Sequence, residues 1–245
     1  MEYSLEICSR YNVIEANKKK IIIFDDHNMA LPAWGTIRQD FDSPLRLVSF
    51  DTHADTRAPF AREMSKNYFS YDSINWRKFK KEFLSPFRCK ADDFNFQDTF
   101  CLATELVAND EHILVADYYD YINEYIIFCG LSKDESEEFQ RTDRLNGQNA
   151  TYFTKHKIEQ FSDMEIASLC NVPIILDFDL DYFTYPQMFN AVFTNKISML
   201  IKHSAAITIA KEPRYFDIEK VDEHFTNEQA LKLLLDLILE VCNAE

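Results

Sequence analysis

The chain has 245 residues, 47% of them hydrophobic and 14% aromatic, and a formal net charge of -15 from 26 Lys and Arg against 41 Asp and Glu. That apolar content can bury a substantial core, which excludes an intrinsically disordered chain. No long basic run offers the counterion release behind phosphate-backbone binding, so neither nucleic acid nor an anionic membrane is expected as a partner; an acidic surface suits a cationic substrate or metal ions.

In chain order, "KIIIF" (20–24) reads as a strand buried on both faces, since three isoleucines favour a pleated, packed environment. "RLVSF" (46–50) is the second strand. Residues 56–98, rich in aromatic and basic side chains, fit helix or an irregular insertion. "DEHILVADYYDYI" (110–122) has an acidic start and helical spacing of its apolar residues, and "EYIIFCG" (124–130) is the third strand. Residues 131–150 are polar and read as a surface connection. "NVPIILDFD" (171–179) is the fourth strand, "PQMFNAVFTNKISMLIKH" (186–203) an amphipathic helix, and "AAITIA" (205–210) the fifth strand. "TNEQALKLLLDLILEVC" (226–242) closes the series as a helix capped by Thr226 or Asn227. Strands alternating with helices predict an α/β fold, a three-layer α/β/α arrangement around a mainly parallel sheet, with residues 1–245 as one domain.

The six cysteines are scattered without a CxxC pair, as expected of reduced thiols in a cytoplasmic protein. The first twenty residues lack a continuous apolar stretch, so no secretory signal is expected, and no apolar run reaches the length of a membrane span. With only Gly35, Gly130 and Gly147 present, no glycine-cradled phosphate loop can be written.

Three of the strand-like runs end in acids and imidazoles: Asp25, Asp26, His27 and Asn28 after the first, Asp51, His53 and Asp55 after the second, and Asp177, Asp179 and Asp181 in and after the fourth. Ligands in open parallel sheets bind beyond the carboxyl ends of strands, so the three clusters are expected to share one crevice. Residues two apart in an extended stretch lie on one side, so each trio can share a face. Carboxylates gathered there repel one another unless protonated or bound to cations. Oxygen donors with one or two imidazoles and no thiolate suit a hard to borderline ion such as Mn²⁺. Two ions about 3.5–4 Å apart would use the whole set. Taken singly, each motif is also compatible with a polar turn or a solvated strand end.

The order of these motifs resembles the arginase/agmatinase (ureohydrolase) superfamily. "FDDHN" is similar to its G-G-D-H-S segment, "DTHAD" to D-A-H-x-D, and "DFDLDYF" to S-x-D-x-D. The resemblance is nearest to a divergent, shorter branch that includes peptide arginases, in which "DHN…W" (Asp26, His27, Asn28, Trp34) precedes the other two motifs. It implies two divalent metal ions, most simply Mn²⁺, held by His27, Asp51, His53, Asp55, Asp179 and Asp181. Asp26 and Asp177 are implied as supports behind them or as alternative ligands, and a register using Asp177 with Asp179 stays open. The implied reaction is hydrolysis of a guanidino group, on arginine side chains of a peptide, to ornithine and urea; a homo-oligomer is possible. The chain departs from the family pattern in lacking both glycines of the first motif. It also lacks the histidine expected about fifteen residues after the second, since 56–111 contain no His. His112 is the substitute for proton transfer, and Glu212, Asn28 and Glu111 are the implied substrate contacts. Two alternatives stand beside this reading: another metal-dependent C–N or amide hydrolase on the same scaffold, and a relative that binds metal or peptide without catalysis.

Overall fold

The structure, a computed structural model, describes residues 4–68, 73–130, 138–142 and 149–244. The chain enters its sheet through a hairpin of β1 (Asn12–Ala16) and β2 (Lys19–Phe24). Asn17 and Lys18 join them at φ 48° and 65°, the left-handed pair that a tight two-residue turn between twisted strands requires. Further strands are β3 (Leu45–Phe50), β4 (Ile122–Cys129), β5 (Glu138–Thr142), β6 (Asn149–Thr154), β7 (Ile174–Asp179) and β8 (Ser204–Ala210). They form one eight-stranded sheet in the order β1-β2-β8-β7-β3-β4-β6-β5. The six inner strands run parallel, and β1 and β5 lie antiparallel at the edges.

The near-continuous apolar runs are explained by helices on both faces. On one face α1 (Ala30–Arg38), α2 (Ala61–Tyr68), α3 (Ser73–Phe79), α4 (Phe96–Leu106) and α5 (His112–Tyr118) cover a core around Ile22, Leu47, Ile127 and Ile175. On the other, α6 (Asp163–Leu169), α7 (Ala191–His203), α8 (Pro213–Glu219) and α9 (Asn227–Asn243) enclose Ile21, Val48, Phe178 and Ile207. Each fully buried Ile or Leu contributes roughly 1.5–3 kcal/mol, so the alternation of faces along β2, β3, β7 and β8 holds the layers together. The three-layer α/β/α fold with its mainly parallel sheet is therefore as expected.

The five expected strands are all present. The expected final helix is α9, and Thr226 caps it through a reciprocal pair with Gln229. The helix expected at 186–203 begins later, because Asn190 accepts from Val192 N and Phe193 N and so starts α7 at Ala191. The stretch at 56–98 is helical rather than irregular in α2, α3 and the start of α4. Among its described aromatic side chains, Phe60 and Phe79 are buried in the core and Trp76 stacks against both. The polar segment expected as a connection contains β5, paired with β6, at 138–142; residues 131–137 and 143–148 lie outside the described residues. Among the described residues no helix is long and apolar enough to cross a membrane.

Candidate metal centre

The carboxyl ends of β2, β8, β7 and β3, four neighbouring strands, deliver the titratable side chains to one place. Beyond β2 the chain turns through a short 3-10 segment, His27–Met29, that buries His27 completely. Beyond β3, Asp51 keeps its amide in the sheet by donating to Phe128 O at 3.1 Å. The chain then bends, and Asp55 takes a left-handed φ of 45°. Asp51, His53 and Asp55 are thus gathered by a bent loop and not by the period of a strand. Asp177 and Asp179 do share a face of β7, whereas Asp181 sits in the following 3-10 turn, Leu180–Tyr182.

His27 Nε2 lies 2.9 Å from Asp177 Oδ2, so that nitrogen carries the proton and donates. The same Asp177 accepts from Ser49 Oγ at 3.0 Å and from Thr208 Oγ1, which in turn accepts from Trp34 Nε1 at 3.1 Å. His27 Nδ1 consequently faces Asp55 Oδ2 at 3.1 Å, Asp179 Oδ2 at 3.2 Å and Asp51 Oδ2 at 3.5 Å. On the far side of Asp51, His53 Nδ1 lies 3.7 Å from Asp51 Oδ1 and 3.2 Å from Asp181 Oδ2. Asp51 therefore stands between two sets of donors.

Burial and charge act together on these groups. Burial and the neighbouring Asp55, Asp181 and Asp179 push the Asp51 carboxyl well above the usual range, and burial with Asp181 does the same to Asp179. Burial disfavours the His27 cation, but Asp177, Asp179 and Asp55 outweigh it and hold its pKa well above the ordinary imidazole value. For Asp55 and Asp177, burial is overcome by His27, and both are lowered. The Asp181 carboxylate facing it is the largest influence on His53, which is raised to about 9.

The residues fit a pair of divalent ions. His27 Nδ1, Asp51 Oδ2 and Asp181 Oδ2 are buried yet have no hydrogen-bond partner, an expensive state unless a cation lies among them. His27, Asp51 and Asp179 can each offer one donor atom to a common point, and so can Asp51, His53 and Asp181. The donors are oxygen and imidazole nitrogen without thiolate, the chemistry of a hard to borderline ion.

The family assignment follows from comparison with known sequences. The model of the arginase family matches residues 6–195, more than three quarters of the chain and all three strand-end motifs. The chain belongs to the arginase family. Comparison with curated proteins finds no match. Among solved structures, the proclavaminate amidino hydrolase of Streptomyces clavuligerus aligns over 91% of this chain and 63% of its own, with 12% identity and a TM-score of 0.49. This arginase-family chain therefore spans less than two thirds of that protein's length.

Beside the cluster opens a crevice of about 750 Å³. Asn28, His53, Asp55 and Glu212 line it together with Arg57, Arg62, Asn109 and Tyr215. Glu212, at φ 36° just past β8, accepts from His27 N at 2.9 Å and from Asn109 Nδ2. Asn28 is fixed by Nδ2 donating to Ala103 O and Val107 O, and its Oδ1 has no partner.

Three expected residues sit otherwise than the motifs suggest. Asp26 is exposed, and its carbonyl accepts from Met29 N. Glu111 is buried away from the crevice, its two oxygens accepting from Arg62 N at 2.7 Å and Ala108 N at 3.2 Å, so it braces a loop. His112 is fully buried, packs its ring 4.2 Å from that of His27, and donates from Nδ1 to Asn109 O at 2.6 Å. Burial and the nearby His27 bring its pKa down to about 4, so it is neutral at pH 7, and it does not line the crevice. Ser49, Thr208 and Asn109 were missed by motif reading. Ser49 and Thr208 carried a signal, each being a fully buried polar residue flanked on both sides by apolar ones within its strand.

Proposed function

We propose that the protein is a ureohydrolase that uses two divalent ions, most simply Mn²⁺, to hydrolyse a guanidino group. The observation that carries this is the pair of donor sets sharing Asp51, opening onto a crevice whose inner wall is acidic. His27, Asp51, Asp55 and Asp179 would hold one ion, and Asp51, His53 and Asp181, with Asp179 beside them, the other. When bound, such ions supply Lewis acidity and activate water at neutral pH. Asp177 fixes the His27 ring so that Nδ1 is free to coordinate. Glu212 and the acidic wall orient a guanidinium, the unpartnered Asn28 Oδ1 is placed to accept one of its N–H groups, and Asn109 holds the Glu212 carboxylate. The oxygen of water adds to the guanidino carbon, the C–N bond to the side chain breaks, and the protons the water gives up pass to the departing amine as urea forms. A peptidyl arginine, converted to ornithine, is the substrate we favour. The crevice is about 750 Å³, and among its lining residues Arg62, with Arg57 held by Asp110, suits the acidic or carbonyl groups of a chain around the arginine. The six cysteines, thiols rather than disulfides, accord with a cytoplasmic setting.

The test is the metal content of the purified protein, followed by urea release with Mn²⁺ from free arginine, agmatine and arginine-containing peptides. Close to two ions per chain and urea from peptides alone support the reading in full. Two ions with no urea from any of the three would discard the reaction while keeping the metal centre.

A further inference from the structure

The His53 side of the cluster has a cation built in behind it. Lys155 follows β6, and its Nζ donates to Thr52 Oγ1 at 3.3 Å while lying 4.8 Å from the centre of the Tyr182 ring. The Tyr182 hydroxyl donates to the Lys155 carbonyl, so the residue is held at both ends. Thr52 and Tyr182 are the residues that immediately follow Asp51 and Asp181. Thr52 also donates from its amide to Asp181 Oδ1 at 3.2 Å and from its hydroxyl to Asp181 O at 2.8 Å. The ammonium is thereby fixed against the loop and the turn that carry two of the three donors on that side.

The opposite side is backed by anions. His27 donates its ring N–H to Asp177 and its backbone N–H to Glu212. An ion beside His27 has negative charge behind its ligands, while an ion beside His53 has positive charge behind two of its own. Burial pulls the Lys155 ammonium down to about 8, with Asp181, Glu219 and Asp51 resisting, so most of it stays charged at neutral pH. A fixed like charge in a partly desolvated setting opposes a second cation more strongly than it would in water.

We propose that Lys155 makes the two ion positions unequal, weakening the one formed by Asp51, His53 and Asp181, so that the chain loads the His27 position first. The inference rests on the two-ion reading above.

The experiment is calorimetric titration of metal-free protein with Mn²⁺, comparing wild type with Lys155→Met and Lys155→Arg. Methionine keeps an apolar stem over Tyr182 and removes the charge; arginine keeps the charge and controls for folding. Wild type is expected to bind in two separable steps. Lys155→Met should tighten the weaker step about tenfold and leave the tighter one within about twofold, and Lys155→Arg should keep the wild-type separation. Two steps of equal affinity in wild type would overturn the inference, as would a weaker step that is unchanged or loosened in Lys155→Met. A wild-type protein that takes up no Mn²⁺ would overturn the two-ion reading as well.

Discussion

The 2.9 Å hydrogen bond from His27 Nε2 to Asp177 Oδ2 decides which ring nitrogen looks into the carboxylate cluster. With Nε2 donating there, Nδ1 is left facing three acidic oxygens between 3.1 and 3.5 Å away. In the metal-free protein those acids keep the imidazole protonated, and a divalent cation would take the place of that proton.

Asp177→Asn should therefore lower metal affinity without touching a proposed ligand. The asparagine must turn its NH₂ toward either His27 and Ser49 or Thr208, all of which donate to the native carboxylate. Loss of such a support behind a ligating histidine costs about 10–100-fold in metal affinity. Calorimetry with Mn²⁺ measures this, and an unchanged first binding step would show that Asp177 does not orient His27.

The metal-free protein should lose stability as pH rises from 6.5 to 8. His27 and His53 have folded pKa values raised above the unfolded imidazole value, His53 to about 9, so their contribution is complete below about 6.5 and falls away as pH climbs toward the folded values. Asp51 and Asp179, also raised, act in the same direction. Asp55 and Asp177, lowered in the folded state, have already made their full contribution above about pH 4. Melting temperatures across this interval, with and without saturating Mn²⁺, provide the check: the downward slope should vanish when metal is bound. A flat profile for the metal-free protein would contradict the crowding of charge described above.

Glu212→Gln should raise KM for a guanidino substrate and leave metal content unchanged. The side chain keeps its shape and an acceptor for His27 N, but a charge-assisted pair with guanidinium becomes a neutral one. A loss of about 1.5–3 kcal/mol corresponds to roughly 10–150-fold in KM. Steady-state kinetics beside metal analysis separate the two effects, and an unaltered KM would remove Glu212 from the substrate site.

Gly35→Ala should destabilise the fold although alanine is the better helix former by about 1 kcal/mol. A Cβ at this position of α1 would meet the Phe94 ring and lie 2.9 Å from Tyr121 Cζ, and Tyr121 is fully buried with its hydroxyl bonded to Cys89 O. Overpacking of this kind costs about 1–3 kcal/mol, so the steric term prevails. A denaturant midpoint at or above the wild-type value would show that Phe94 yields freely.

Much of the centre was legible in the motifs because strand ends in a parallel sheet collect at one edge, and short-range spacing places Asp51, His53 and Asp55 in one loop. His112 shows where that legibility stopped. Its position in the sequence made it the substitute for proton transfer, yet α5 packs against α1 and carries the imidazole under His27 and Trp34. Glu111 misled for the same reason, since two amides from its surroundings, Arg62 N and Ala108 N, bind the oxygens that substrate would need. β5, at the sheet edge, and β6 beside it escaped notice because neither carries the continuous apolar run that marked the other inner strands.

The amino-acid sequence by itself determined the alternation of buried strands and helices, the acidic balance, and the three groups of Asp and His that end β2, β3 and β7. These follow from local pattern, and local pattern is written in one dimension. Only the tertiary structure decided that Asp177 supports His27 while Asp179 and Asp181 turn toward the cluster. It alone placed Glu212 beside residues 185 positions earlier in the chain and set Lys155 against Thr52 and Tyr182. Those relationships depend on strand order and on which face each helix covers. Both are settled by packing across the whole sheet, so no stretch of neighbouring residues could specify them.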